Sequence, residues 1–138
     1  MRSAEDIEAY MVRMGLKFDQ VAEGTWLLSD EHEGIANIVV RHNPPVLVCR
    51  VKLMELPKGA DLTGLFRLLL ELNASEMISA AYGLEGNAVV VTDTLQVENL
   101  DFNEFQAAIE GLTMFIADHY PRLVPFLKLG AEKAEARL

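Results

Sequence analysis

Residues 62–120 decide the fold that this sequence predicts: LTGLFRLLLELNASEMISAAYGLEGNAVVVTDTLQVENLDFNEFQAAIEGLTMFIADHY. Leucines recur at helical spacing in its first part, and Asp61 precedes them as a candidate N-cap. Glu85-Gly86-Asn87 is a hairpin turn signal between two β-rich segments. An apolar stripe at helical spacing begins again at Phe102. The stretch therefore predicts a helix, a β-hairpin and a second amphipathic helix.

The residues before this stretch predict one helix and four strands. Ser3 and Asp6 have capping-box spacing, and Gly15 is placed to end the first helix. Together with the hairpin, strands are predicted at residues 17–21, 25–28, 35–41, 46–53, 78–84 and 88–97. Because short turns join most of these strands, the predicted fold class is α+β: an antiparallel sheet with helices packed against it, in the order α-β-β-β-β-α-β-β-α.

The end of the chain carries two further predictions. The residue before a proline avoids the helical region, so Tyr120-Pro121 is expected to end or kink the third helix. Residues 128–138 are expected to form a frayed or helical tail. No internal repeat or linker divides the sequence, so residues 1–138 are predicted to form one domain.

Composition limits the kinds of partner. The chain has 138 residues and a net charge of −9, with 21 acidic against 12 basic residues. This charge repels phosphate backbones and the bases do not cluster in sequence, so no nucleic-acid partner is predicted. No apolar run approaches a membrane span and the N-terminus does not look like a secretory signal, which predicts a cytoplasmic protein with no membrane partner. The one cysteine, Cys49, is expected to be buried.

Residues with catalytic or metal-binding chemistry are few. In the run Asp30-Glu31-His32-Glu33, adjacent side chains point in different directions, so a solvated loop is favoured over a metal site. His42 and His119 have no evident nucleophile beside them, and His119 is expected at a helix end. Asp93 is expected on the open face of a strand. The sequence therefore predicts no catalytic residues, no metal site and no cofactor.

The fourth predicted strand has two different faces. One face is expected to be apolar and to point into the core: Leu47, Cys49, Val51 and Leu53. The other is a mixed surface of Val46, Val48, Arg50, Lys52 and Met54. On this second face Val46, Val48 and Met54 are predicted to form an exposed apolar patch that binds protein.

The second helix is apolar over an unusually wide arc. On a helical wheel its apolar residues span roughly 200°, and they are Leu62, Leu65, Phe66, Leu68, Leu69, Leu70 and Leu72. One sheet face needs less than this, so the helix is expected to be covered on two sides, by the third helix or by another subunit. Leu68 and Leu70 are predicted to lie in the interface of a homodimer.

Three motifs give the chain a family resemblance. LLLELN at residues 68–73, YGLEGNAVVV at 82–91 and DHYPRL at 118–123 occur in this order. A leucine-rich helix ending in asparagine, a short hairpin and a long closing helix resemble the YbjN-like family and its structural relatives, the type III secretion chaperones. The closing DHYPRL is more similar to the YbjN-like branch.

The resemblance implies a function as well as a fold. It implies an α+β domain that forms homodimers and holds a client polypeptide segment on its surface, without enzymatic activity. The YbjN-like branch implies an alternative, a regulatory domain in bacterial signalling that acts through a protein or small-ligand partner. An enzyme with dispersed polar residues is the third reading, and a closed pocket with convergent polar groups would favour it.

Overall fold

The computed structural model describes residues 1–31 and 34–136, with side chains as far as residue 127. Along these residues the order of elements is α1 (Ala4–Met14), β1 (Lys17–Ala22), β2 (Thr25–Asp30), β3 (Ile35–Asn43), β4 (Val46–Glu55), α2 (Thr63–Ser75), β5 (Ala81–Glu85), β6 (Ala88–Gln96) and α3 (Phe102–Ala136). The predicted α+β class and the predicted order of elements are confirmed.

The strands described form one six-stranded sheet in the order β1-β2-β3-β4-β6-β5. Every neighbouring pair is antiparallel. The first four strands lie side by side in chain order, whereas the chain leaves the sheet after β4, forms α2 and returns at the far edge as β5. The hairpin then brings β6 between β5 and β4, so β1 and β5 are the two edges.

All three helices pack on one face of the sheet. Alternate residues of the strands are buried there together with the apolar sides of the helices. The central members are Ile7, Met11, Trp26, Leu28, Ile38, Val40, Leu47, Cys49, Val51, Leu65, Leu69, Leu72, Val89, Val91, Phe105, Ile109 and Leu112. The residues between them on β2, β3 and β4 stay partly or fully exposed, so the opposite face is open.

The predicted capping residues are confirmed at α1, whereas the prediction of Asp61 as the N-cap of α2 is wrong. The Ser3 hydroxyl accepts from the Asp6 backbone N–H at 3.2 Å, and the Asp6 carboxylate accepts from the Ser3 N–H at 2.8 Å. Gly15 ends α1 with a left-handed φ of 72°. Asp61 lies one residue before the N-cap of α2, which is Leu62, and its carboxylate still accepts from the Thr63 N–H at 3.0 Å.

Tyr120-Pro121 was predicted to end or kink the third helix, and the first of these outcomes is wrong, because α3 continues through Pro121 and Pro125 to Ala136. A proline inside a helix removes one backbone hydrogen bond. The apolar residues after Pro121 offset that loss, since Leu123 is buried in the core and Phe126 packs against it. The Phe126 ring lies near Gly64 of α2, where a Cβ would be in ordinary van der Waals contact with it at 3.5 Å.

Met54 is not on the exposed face where the alternation placed it. The pairing of β4 with β6 shifts between Lys52 and Met54, which is a β-bulge that inserts one extra residue at Leu53. The bulge reverses the alternation, so Met54 turns to the helix-covered face and is only 9% exposed. The predicted exposure of Met54 is therefore wrong.

Two smaller expectations about the hairpin are also wrong. β5 begins at Ala81 rather than at Ile78, because residues 77–80 carry the chain from the end of α2 to the sheet edge. Asp93 lies on the helix-covered face and is 4% exposed, not on the open face. Its carboxylate accepts a hydrogen bond from the Ser79 hydroxyl at 3.0 Å, which partly compensates for its burial.

Candidate protein-binding surfaces

The open face of the sheet combines apolar and cationic side chains. The register places Val48 opposite Arg41, Arg50 opposite Val39, and Lys52 opposite Val90. The described helices all pack on the other face, so Val39 and Val48 are only half-buried. This open face therefore presents aliphatic side chains between positive charges, although the chain as a whole carries a net charge of −9.

Ion pairs hold some of these cations in place. Lys52 Nζ lies 2.7 Å from Glu55, whose pKa is lowered by that hydrogen bond, and Arg50 pairs with Glu85 across the sheet. These pairs are exposed and contribute little to stability. They border a depression of about 430 Å³ above Val39 and Val90. The surface is thus open, shallow and amphipathic.

Sequence reasoning found part of this open face. Val46 and Val48 lie on it, half-buried, as the alternation predicted. Met54 does not join them because of the bulge at Leu53. The cationic neighbour Arg41 comes from another strand, and only the register between strands brings it beside Val48.

A second apolar surface lies between α2 and the edge strand β5. It is a groove of about 250 Å³ lined by Phe66, Leu69, Leu70, Asn73, Tyr82, Gly83 and Leu84. Leu70 and Leu84 are 69% and 52% exposed, which is unusual for large apolar side chains beside a groove. Leu68 does not reach this groove and instead packs against the core, half-buried. Of the two residues predicted for a dimer interface, the structure brings only Leu70 to the α2–β5 groove.

A polar cluster around a buried histidine adjoins the α2–β5 groove at Tyr82, and the sequence did not predict it. His119 is 1% exposed, and its Nδ1 lies 2.6 Å from the Tyr82 hydroxyl. Its Nε2 lies 3.5 Å from Glu76, which forms two hydrogen bonds with Arg122 at 2.9 and 3.0 Å. The only sequence signal was His119 itself, and the expected end of the helix at Tyr120 concealed its burial.

Burial and neighbouring charges shift the pKa values of three groups in this cluster. Burial raises the pKa of Tyr82 to about 12, so its hydroxyl is protonated at neutral pH, and it shares a hydrogen bond with His119 Nδ1. The other ring nitrogen, Nε2, faces Glu76. The hydrogen bonds from Arg122 hold the pKa of Glu76 below its usual range, and Glu76 in turn raises the pKa of Arg122. The cluster joins α2, β5 and α3.

The residues with possible metal or nucleophile chemistry are placed as follows. Asp30 and Glu31 line a cleft of about 690 Å³, while His32 and Glu33 lie outside the described residues. Among residues 1–31 and 34–136, no group of three or more metal-ligating side chains converges. Cys49 is buried as predicted, and burial together with the nearby Asp93 carboxylate raises its pKa to about 12. That thiol is therefore protonated at neutral pH and unreactive.

The fold and these surfaces define a class of protein: a one-sheet α+β domain with helices on one face and an open amphipathic face on the other. The CesT_Tir_1 family model matches residues 1–129. The chain belongs to this family of type III secretion chaperones. Among curated proteins, no significant match was found.

Two solved structures share the fold. YbjN from E. coli, described as a candidate transcription regulator, has 16% sequence identity and a TM-score of 0.64, and the match covers 88% of this chain and 93% of YbjN. A chain of the heterodimeric ExoU–SpcU complex, from the type III secretion system of Pseudomonas aeruginosa, has 18% identity and a TM-score of 0.54, with coverage of 87% and 96%. The family resemblance predicted from the sequence is confirmed.

A separate finding concerns membranes. In the part of the chain that the structure describes, no helix has both the length and the apolar character needed to cross a bilayer.

Proposed function

We propose that this chain is a non-enzymatic protein-binding module that holds an extended client segment on the open face of its sheet. The observation that carries the proposal is the half-buried Val48 beside Arg41, on a sheet face that the described helices leave uncovered. Membership of a secretion chaperone family supports the same function. The buried Cys49 and Tyr82, both protonated at neutral pH, offer no activated nucleophile that would support an enzyme.

The chemistry of the open face suits an extended, amphipathic client segment. Successive side chains of such a segment point in opposite directions, so alternate apolar residues can contact Val39 and Val48. Carboxylates of the same segment can pair with Arg41 and Lys52 at the margin. Apolar contact then supplies affinity, and the charges supply orientation.

Capture of the tagged protein from lysate of its source cell, followed by mass spectrometry, tests this placement. Val48→Asp places a charge at the centre of the open face and is expected to lose the bound client by at least about tenfold. Val12→Asp is the matched control, because Val12 is an exposed valine on α1, away from this face. A client that both variants retain equally would contradict binding on the open face.

We also propose that two copies associate through the α2–β5 groove. The exposed Leu70 and Leu84 support this proposal, because a two-fold axis would bring each pair against the other copy. Light scattering should give the mass of a dimer for the native chain at micromolar concentration and that of a monomer for Leu70→Asp. Met114→Asp is the control, since Met114 is also an exposed apolar residue, on α3 and away from the groove. A monomeric native chain would refute the dimer.

A second candidate function is regulation through a protein or small-ligand partner. The structural likeness to YbjN favours it, and that likeness has the higher TM-score of the two described above. Capture experiments that return no protein partner would support this function over client holding. Thermal-shift measurements with a panel of small metabolites would then identify the class of ligand.

A further inference from the structure

The β5 edge of the sheet has a side-chain partner for its outer backbone groups. An edge strand presents N–H and C=O groups that can pair with another strand, and proteins usually protect such edges. β5 is an edge strand, bonded to β6 on one side only. Its outer side faces α2, at the α2–β5 groove.

The side chain of Asn73 occupies the outer edge of β5 at Tyr82. Asn73 Oδ1 accepts a hydrogen bond from the Tyr82 backbone N–H at 2.8 Å, and Asn73 Nδ2 donates to the Tyr82 C=O at 3.0 Å. This is the double exchange that a residue of a neighbouring antiparallel strand would make. One carboxamide thus takes the place of a strand. The orientation of the amide is settled because the N–H needs an acceptor and the C=O needs a donor.

Packing and hydrogen bonding restrict both partners of this bridge. Asn73 follows Leu72, which is fully buried and fixes the last turns of α2 against the core. The Tyr82 side chain is buried and bonded to His119 at 2.6 Å. Because neither group is free to move, the bridge forms with little loss of conformational entropy.

The position of the bridge matters as much as its geometry. In β5, alternate residues direct their backbone groups outward, so Tyr82 and Leu84 form the outer side of a strand only five residues long. Blocking Tyr82 in the middle leaves Leu84 as an isolated site before the turn at Gly86. An incoming strand therefore cannot form two successive pairs with β5.

We propose that Asn73 is a surrogate strand that closes the β5 edge, and that without its amide this edge pairs with β5 of a second copy of the chain. A second copy is the occupant because two identical short strands can pair antiparallel across a two-fold axis, with the exposed Leu70 and Leu84 of each copy beside the joint. This inference does not depend on client holding. It rests on the proposed dimer and adds two details: the two copies contact each other through side chains, and the sheet of each copy ends at β5.

Two variants of Asn73 separate the proposal from simple unfolding. Asn73→Ala removes both hydrogen bonds, whereas Asn73→Asp keeps an acceptor for the Tyr82 N–H and lacks a donor for its C=O. Amide exchange at Tyr82 is expected to become on the order of tenfold faster in Asn73→Ala, and to stay close to native in Asn73→Asp. Asn103→Ala, at an exposed asparagine on α3, is the matched control.

Self-association is the second measurement. Infrared spectroscopy over a concentration series is expected to show a signal of intermolecular antiparallel sheet for Asn73→Ala, and none for the native chain or Asn103→Ala. Asn73→Asp should also lack the signal, because its carboxylate still accepts from the Tyr82 N–H and adds charge to the edge. Mass alone does not decide the question, since a β5–β5 pair joins two copies just as the side-chain dimer does. Absence of the infrared signal in Asn73→Ala at every concentration would overturn the proposal. If Asn73→Ala does not fold, Asn73→Ser, whose hydroxyl is too short to bridge both backbone groups of Tyr82, decides it. Leu70→Asp tests the side-chain dimer separately, so the two proposals can fail independently.

Discussion

The two faces of the sheet are made by the same strands and yet have opposite properties. On β4, Leu47 and Cys49 are fully buried under the helices, whereas their neighbours Val46 and Val48 remain half-exposed on the open face. The helix-covered face carries the core and the sealed polar groups, and the open face carries the candidate binding surface. The difference teaches that binding and stability are divided between alternate residues, so each can be changed without the other.

The largest loss of stability is expected at Met54, which the bulge turns from the open face to the helix-covered face. A carboxylate in Met54→Asp would enter the helix-covered face without a cationic partner, and should lower the free energy of unfolding by at least about 3 kcal/mol. Val48→Asp, on the same strand before the bulge, should cost only about 1 kcal/mol. Urea denaturation compares the two variants. Equal costs would mean that Met54 lies on the open face after all.

An alkaline transition is the next largest expected effect, and it comes from the helix-covered face. The pKa of Cys49 is raised from 9.0 to about 12, so the folded state holds this proton more tightly than the unfolded chain. The resulting stability is complete below about pH 9 and is lost as the pH rises towards 12, at about 1.4 kcal/mol per pH unit. Tyr82 adds a similar loss between pH 10 and 12.

Unfolding measured between pH 8 and 11 tests this sign. Cys49→Ala should be less stable than the native chain at pH 8, because it leaves a cavity, and should show a shallower decline with pH. A parallel decline in both proteins would exclude Cys49 as its source. Thiol labelling offers a second check, since the folded protein should react only after it unfolds.

Removal of one hydroxyl tests the buried cluster. Tyr82→Phe leaves His119 Nδ1 without its partner at 2.6 Å, and a buried polar atom without a hydrogen-bond partner costs about 1–2 kcal/mol. Tyr120→Phe, at the exposed tyrosine next to His119, should cost almost nothing. Thermal unfolding compares the pair, and equal melting temperatures would show that the Tyr82–His119 bond does not stabilise the fold.

Local sequence patterns predicted most of the division between the two faces. Features that depend on residues distant in sequence were not predicted. Alternation identified the buried face of β4 correctly as far as Val51, but a bulge at Leu53 leaves no local signal because it depends on the partner strand. Pro121 was expected to end a helix that tertiary packing of Leu123 and Phe126 continues.

The same limit applies to the candidate sites. Val48 and Leu70 were predicted as surface candidates from local patterns. Val48 is an apolar residue on the strand face opposite the core, and Leu70 extends the apolar arc of α2 beyond what one sheet face needs. The bridge from Asn73 to Tyr82 and the cluster at His119 were not predicted, because each joins elements that only the fold brings together.

The smallest expected effect is also the most direct comparison of the two faces. Val→Thr changes one methyl group to a hydroxyl with little change of shape, and β-propensity is similar for both residues. Val51→Thr should cost about 1–2 kcal/mol, because its hydroxyl is buried under the helices. Val48→Thr should stay within about 0.5 kcal/mol of the native chain, since water reaches the open face. If Val48→Thr proved as costly as Val51→Thr, Val48 would have to be buried in solution, which would contradict an open face available to a client.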